Sequence, residues 1–133
     1  MIGLDTNVLV RYVTQDDAEQ SRRVTRLIEA HCTEEDPGFV PTVVLCELVW
    51  VLDSGYCYGK SDIVRLLRGM ASTPALMLQN HERVSRALSL YEKGGAGFSD
   101  CLIACDCEDE AAIPVYTFDK TAAKTSRLFA LVP

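Results

Sequence analysis

The chain has 133 residues, 48% of them apolar, which is enough to close the hydrophobic core of one domain. Thirteen Lys and Arg against 19 Asp and Glu give a net charge of -6, so broad, nonspecific attachment to phosphate backbones is excluded, while selective binding of a nucleic acid is not. No apolar run reaches transmembrane length, and Met1 leads at once to Asp5 with no basic segment, so a cytoplasmic protein is expected.

Short apolar runs alternate with helical patterns from end to end, which predicts an α/β domain on a mostly parallel sheet of four or five strands. Met1 to Leu4 reads as the first strand and Thr6 to Val13 as a short helix. Asp16-Asp17-Ala18-Glu19 gives an acidic first turn to a helix reaching about Cys32, with Val24, Leu27 and Ile28 as its apolar stripe. Pro37-Gly38 breaks the chain before a brief strand at Gly38 to Val40. Thr42 is then the expected N-cap of a helix that carries Glu47. That helix is apolar on nearly every face, so it is expected to be buried. Beyond Gly55, Ser61 to Ala71 reads as an amphipathic helix on Ile63, Leu66, Leu67 and Met70, and Ala75 to Leu78 as a strand. Asn80 caps a helix that stops at Gly94-Gly95, and Ser99 caps the next, which bears Asp100. Ile113 to Phe118 and Leu128 to Val132 complete the strands. No repeat, linker or low-complexity tract divides the chain, so residues 1–133 are expected to form a single domain.

Four acids stand in apolar surroundings: Asp5 in Ile2-Gly3-Leu4-Asp5-Thr6-Asn7-Val8-Leu9, Glu47 in Val44-Leu45-Cys46-Glu47-Leu48-Val49-Trp50, Asp100 in Phe98-Ser99-Asp100-Cys101-Leu102-Ile103, and Asp119 in Val115-Tyr116-Thr117-Phe118-Asp119-Lys120. A carboxylate among apolar neighbours is costly unless paired, hydrogen-bonded or bound to a cation. Lys and Arg are scarce in these windows, so a hard divalent cation, which prefers oxygen ligands, is the expected partner. Each Asp alone is explained as well by helix capping, since each stands near a predicted helix start. Glu47 lies mid-helix, where no cap is needed, and its plainer explanation is a buried ion pair. Asp5 and Asp119 also follow strands, at the carboxyl end of a parallel sheet, where open α/β folds gather their ligands.

Other features carry less. Gly59-Lys60-Ser61 lacks the upstream glycine spacing and the preceding strand of a phosphate loop. Cys46, Cys101 and Cys105 fall in apolar helical patterns and read as free, buried thiols. Cys101, Cys105 and Cys107 lack the paired Cys-x2-Cys spacing of a zinc site. His31 and His81 sit in polar stretches and read as surface residues.

The four windows, in this order and at domain-length spacing, resemble the PIN-domain ribonucleases and, within them, the VapC toxins of toxin–antitoxin pairs. The resemblance covers essentially the whole chain and implies a three-layer α/β/α sandwich. It places Asp5, Glu47, Asp100 and Asp119 as the catalytic, metal-holding acids, with Thr6, Asn7 and Thr117 orienting ligands or the phosphate. It implies Mg2+ or Mn2+, hydrolysis of RNA by activated water, a homodimer, and a small antitoxin partner. Trp50, Val51, Leu52, Tyr56 and Tyr58 are the expected source of the dimer surface. The helices of Val24, Leu27 and Ile28 and of Leu66, Leu67 and Met70 are the expected antitoxin groove. Two rivals stand beside this reading. A metal-dependent phosphomonoesterase with Asp5 as nucleophile requires a second Asp two residues on, where this chain has Asn7. A PIN-like module that only binds RNA or protein predicts loss of one or more acids, and all four are present.

Overall fold

In the computed structural model, which describes residues 1–133, the first apolar run pairs through a single residue. Gly3 bridges Phe39 in parallel, with the Leu4 N–H donating to the Phe39 carbonyl at 2.9 Å and the Phe39 N–H to the Ile2 carbonyl at 2.8 Å. The strand expected at Met1 to Leu4 is therefore a bridge, and of this run only Leu4 is buried.

The chain divides into two compact units, Met1–His81 and Glu82–Pro133. In the first, β1 (Gly38–Val40) pairs in parallel with β2 (Leu76–Leu78), Phe39 standing opposite Met77. A parallel pair needs a long crossover, and here it contains α3 (Thr42–Trp50) and α4 (Lys60–Ala71). Ahead of β1 come α1 (Thr6–Thr14) and α2 (Ala18–His31). α1 packs on α2 and on α3, and α4 on β2. Leu9, Val40, Leu45, Leu48, Leu52, Ile63 and Leu67 are the fully buried centre of this unit. Gly38 is required by close approach, since a Cβ there would meet Leu4 Cδ1 and Cys32 Sγ, each at 2.8 Å.

Burial of the Glu47 helix is one-sided, contrary to expectation. Val44, Leu45, Leu48 and Val49 of α3 are buried, while Val43 is 62% and Trp50 68% exposed. An α-helix needs only a stripe of contacts, and the apolar residues at Val43 and Trp50 share the other face with Glu47, four and three residues away. Pro41, not Thr42, is the N-cap. α3 then loosens into one π-helical turn, Val51–Gly55, which the apolar pattern did not reveal. The Tyr56 N–H closes it on the Val51 carbonyl at 3.2 Å.

The second unit takes all but the first residue of α5 (His81–Lys93), then α6 (Phe98–Asp109), β3 (Val115–Thr117), α7 (Lys120–Thr125) and β4 (Phe129–Leu131). β3 and β4 are parallel, with Tyr116 opposite Ala130. Val84, Leu88, Phe98, Cys101, Leu102 and Cys105 are buried here, and the Tyr91 and Phe98 rings meet edge to face with centroids 6.0 Å apart. Gly97 is the N-cap of α6, so Ser99 lies inside the helix rather than capping it. The expected α/β class with parallel strands holds in both units. All six cysteines are free thiols, and no helix is long and apolar enough to cross a membrane.

Candidate functional site

Asp5 ends the Gly3 bridge segment and is the N-cap of α1, its Oδ1 accepting the Thr6 N–H at 2.8 Å. Asp119 follows β3 and caps α7, its Oδ1 accepting the N–H groups of Thr121 at 2.9 Å and Ala122 at 3.1 Å. The Thr117 hydroxyl accepts the Asp119 N–H at 3.0 Å and so fixes the turn that presents the carboxylate. In both aspartates the capping explanation is realised, yet it occupies one oxygen and leaves Oδ2 outside these bonds. Asp100 stands in the first turn of α6, and its Oδ2 comes back over the bare Cα of Gly97.

Glu47 is the clearest correction. It is exposed on α3, so the buried ion pair weighed for it is absent. Asp5 and Asp119 are exposed as well, and Asp100 is half-buried. Some of their apolar neighbours, such as Leu4, Leu48 and Leu102, face inward, while others, such as Trp50 and Phe118, are exposed with the acids. The ion pairs of the chain engage Asp16, Asp36, Asp62, Glu82, Asp106, Glu108 and Asp109, and none of the four. Asp5 and Glu47 belong to the first unit, whose α1 and α3 are in contact, and Asp100 and Asp119 to the second. No three His, Cys, Asp or Glu side chains stand together in metal-holding geometry. The fit to a divalent cation rests on the donor set: hard carboxylate oxygens, unclaimed by Lys or Arg.

Thr6 adds an observation from the supporting residues. It is 6% exposed, and its Oγ1 is buried with no hydrogen-bond partner. An unsatisfied buried hydroxyl costs about 1–3 kcal/mol, and here it directly follows Asp5. Asn7 is exposed and lines a groove between α1 and α2. Of the residues expected to line an antitoxin groove, Ile28, Leu67 and Met70 are buried, while Val24 and Leu27 lie in this one. Its walls are Asn7, Val8 and Arg11 of α1 and Gln20, Arg23, Val24 and Leu27 of α2. Arg11 escaped the sequence reading, although its position one turn after Asn7 on an amphipathic helix was available to find it.

Against known proteins, residues 2–128 match the PIN domain family. A VapC ribonuclease of Aquifex aeolicus (strain VF5) is 25% identical over 121 residues, covering 91% of this chain and 89% of that protein.

Proposed function

Because the chain belongs to the PIN-domain family, we propose that it is a metal-dependent endoribonuclease, the toxin of a VapBC-type toxin–antitoxin pair. The observation that carries this reading is the presence of all four acids at the motif positions, exposed or half-exposed and free of protein cations. The similarity to a protein named as a VapC ribonuclease, over most of both chains, supports the choice of RNA as substrate and of an antitoxin as partner. The family match runs through both compact units, which supports reading residues 1–133 as one PIN domain.

Asp5, Glu47, Asp100 and Asp119 would hold Mg2+ or Mn2+, which when bound supplies a water of lowered pKa and a counter-charge for the phosphoryl oxygens. The residues of the chain do the rest. Asp5 and Asp119 each keep one oxygen on helix N–H groups, so the second oxygen is held in a fixed direction. Thr6 offers its unpartnered hydroxyl to a ligand or to a phosphate oxygen. Thr117 acts through Asp119, whose backbone it holds. Asn7, exposed two residues past Asp5, would orient the substrate. No His, Cys or Ser nucleophile is needed, and both histidines are exposed away from these motifs.

Val43 and Trp50, exposed on one face of α3, are the surface through which two copies would pair as a homodimer. Of the other residues expected there, Leu52 is buried and Tyr56 is engaged by Arg11 and Asp16. With no membrane-crossing helix, the enzyme would act in the cytoplasm, where RNA is found. Incubation of total RNA with the purified chain and Mn2+ tests the reading. Discrete cleavage that stops on adding a chelator is expected; intact RNA under both conditions contradicts it.

A further inference from the structure

We propose that the groove between α1 and α2 binds the RNA strand beside the phosphate being cut, with Arg11 and Arg23 as phosphate contacts; this rests on the ribonuclease reading above. The groove encloses about 380 Å³. Two arginines and two amides, Asn7 and Gln20, rim an aliphatic floor of Val8, Val24 and Leu27. No carboxylate lines it, although the chain as a whole carries a charge of -6. The groove thus presents positive charge to a polyanion on a chain that is acidic overall.

Arg11 is held in advance. Its Nε donates to Gln20 Oε1 at 2.6 Å, and its Nη1 lies 3.3 Å from both Asp16 Oδ1 and the Tyr56 hydroxyl. Tyr56 donates in turn to the other Asp16 oxygen, and Thr14 to Asp16 Oδ1 at 2.8 Å. The backbone is tied too, since the Arg11 carbonyl accepts the Ser21 hydroxyl at 3.0 Å and the Gln15 N–H at 3.1 Å. These bonds leave the Nη2 edge unused. A guanidinium already ordered loses little side-chain freedom on meeting an oxyanion, and a planar fork suits phosphate. Asp16 offsets part of the Arg11 charge. Arg23 is exposed and belongs to none of the ion pairs, so it brings its full charge to the rim.

The groove also starts where the chemistry does. Asn7 is two residues past Asp5, and Arg11 is six, which is about 9 Å along the helix axis at the usual rise. A strand cut at Asp5 passes Asn7 and Arg11 within its next nucleotides. The surface of the groove is largely apolar, from Val8, Val24, Leu27 and the stems of its polar residues, and sugars and bases would lie over it between phosphates held by the two arginines.

The test is fluorescence anisotropy of a labelled single-stranded RNA of mixed sequence, in chelator so that the strand is not cut, over a range of salt. Arg11→Ala and Arg23→Ala are each expected to bind about tenfold more weakly or worse. Each should also lower the slope of log K against log salt by about 0.7, the share of one phosphate on a single strand. Arg65→Ala, at an exposed arginine of α4 that does not line the groove, should bind as wild type. Arg23→Glu, which disturbs no internal bond, decides the matter if Arg11→Ala unfolds. Wild-type affinity and slope in the Arg23 variants overturn the proposal and leave the groove to a protein segment. A wild-type chain that neither binds nor cuts RNA overturns the ribonuclease reading and the groove with it, which separates the two failures.

Discussion

Asp5 and Asp119 each do two things with one carboxylate, capping a helix through one oxygen and presenting the other. Asn caps nearly as well as Asp, so Asp5→Asn should change unfolding free energy by no more than about 0.5 kcal/mol. Cleavage of RNA by the same variant should fall by at least about 100-fold, as expected when a charge-stabilising group is removed from a reacting centre. Parallel thermal melts and cleavage assays separate the effects; a variant that is stable and fully active contradicts the assignment. Glu47→Leu is the matching probe on α3. Its side chain is exposed and unpaired, so urea titration should find a stability change within about 0.5 kcal/mol. A loss of several kcal/mol would restore the buried ion pair that the sequence left open. The four acids stood out in the sequence because each sits in a contiguous motif. Their exposure was not legible, because apolar neighbours on a helix face both ways and packing alone decides which side is covered, as Val43 and Trp50 demonstrate.

The two helices of the second unit that flank the Gly94–Gly95 stop are joined by a compact set of charges. Arg83 donates to Asp109 Oδ2 at 2.6 Å and to Asp106 at 3.1 Å, and Arg86 to Asp109 Oδ1 at 2.6 Å and to Glu108 at 2.9 Å. Hydrogen bonds from Arg83 and Arg86 hold the Asp109 carboxyl below its ordinary range. A depressed carboxyl pKa stabilises the fold above the unfolded value, and the contribution is lost as pH falls through the folded one. Wild type should therefore lose stability more steeply than Asp109→Asn as pH drops from about 4, below the usual carboxylate range. Equal acid limbs in pH-dependent melts would show the cluster to be idle. α7, which Asp119 caps, is clamped at its other end. The Thr125 hydroxyl accepts the Gly95 and Ala96 N–H groups, both at 3.1 Å, and a Cβ on Gly94 would stand 2.1 Å from Thr125 Cγ2. Gly94→Ala must turn Thr125 aside and should cost about 1–3 kcal/mol by calorimetry; an unchanged melting temperature would show that the contact yields freely. The sequence showed Gly94-Gly95 as a helix stop. It could not show Thr125 closing on it from 30 residues away, nor the π-turn after Trp50, which follows an unbroken apolar run.

For the whole chain, the order of elements and the α/β class were readable because helical and strand periods alternate with few interruptions. The two-unit contact pattern and the α1/α2 groove depend on which stripes face each other, and sequence periodicity leaves that open. Val43 and Trp50, at 62% and 68% exposed, are the apolar pair on α3 proposed for pairing. Light scattering at micromolar concentration is expected to give a dimer, and Trp50→Glu a monomer; a monomeric wild type would count against pairing through α3. The central proposal is that the chain cleaves RNA with a divalent metal and that Asp5, Glu47, Asp100 and Asp119 are each needed for it. Its most direct test is single-turnover cleavage of one labelled RNA over a range of Mn2+ by wild type and by the variants Asp5→Asn, Glu47→Gln, Asp100→Asn and Asp119→Asn. The account predicts Mn2+-dependent cleavage in wild type and its loss in Asp5→Asn, Glu47→Gln and Asp100→Asn, with Asp119→Asn strongly impaired. Wild-type rates at the same Mn2+ in variants of either unit would contradict it.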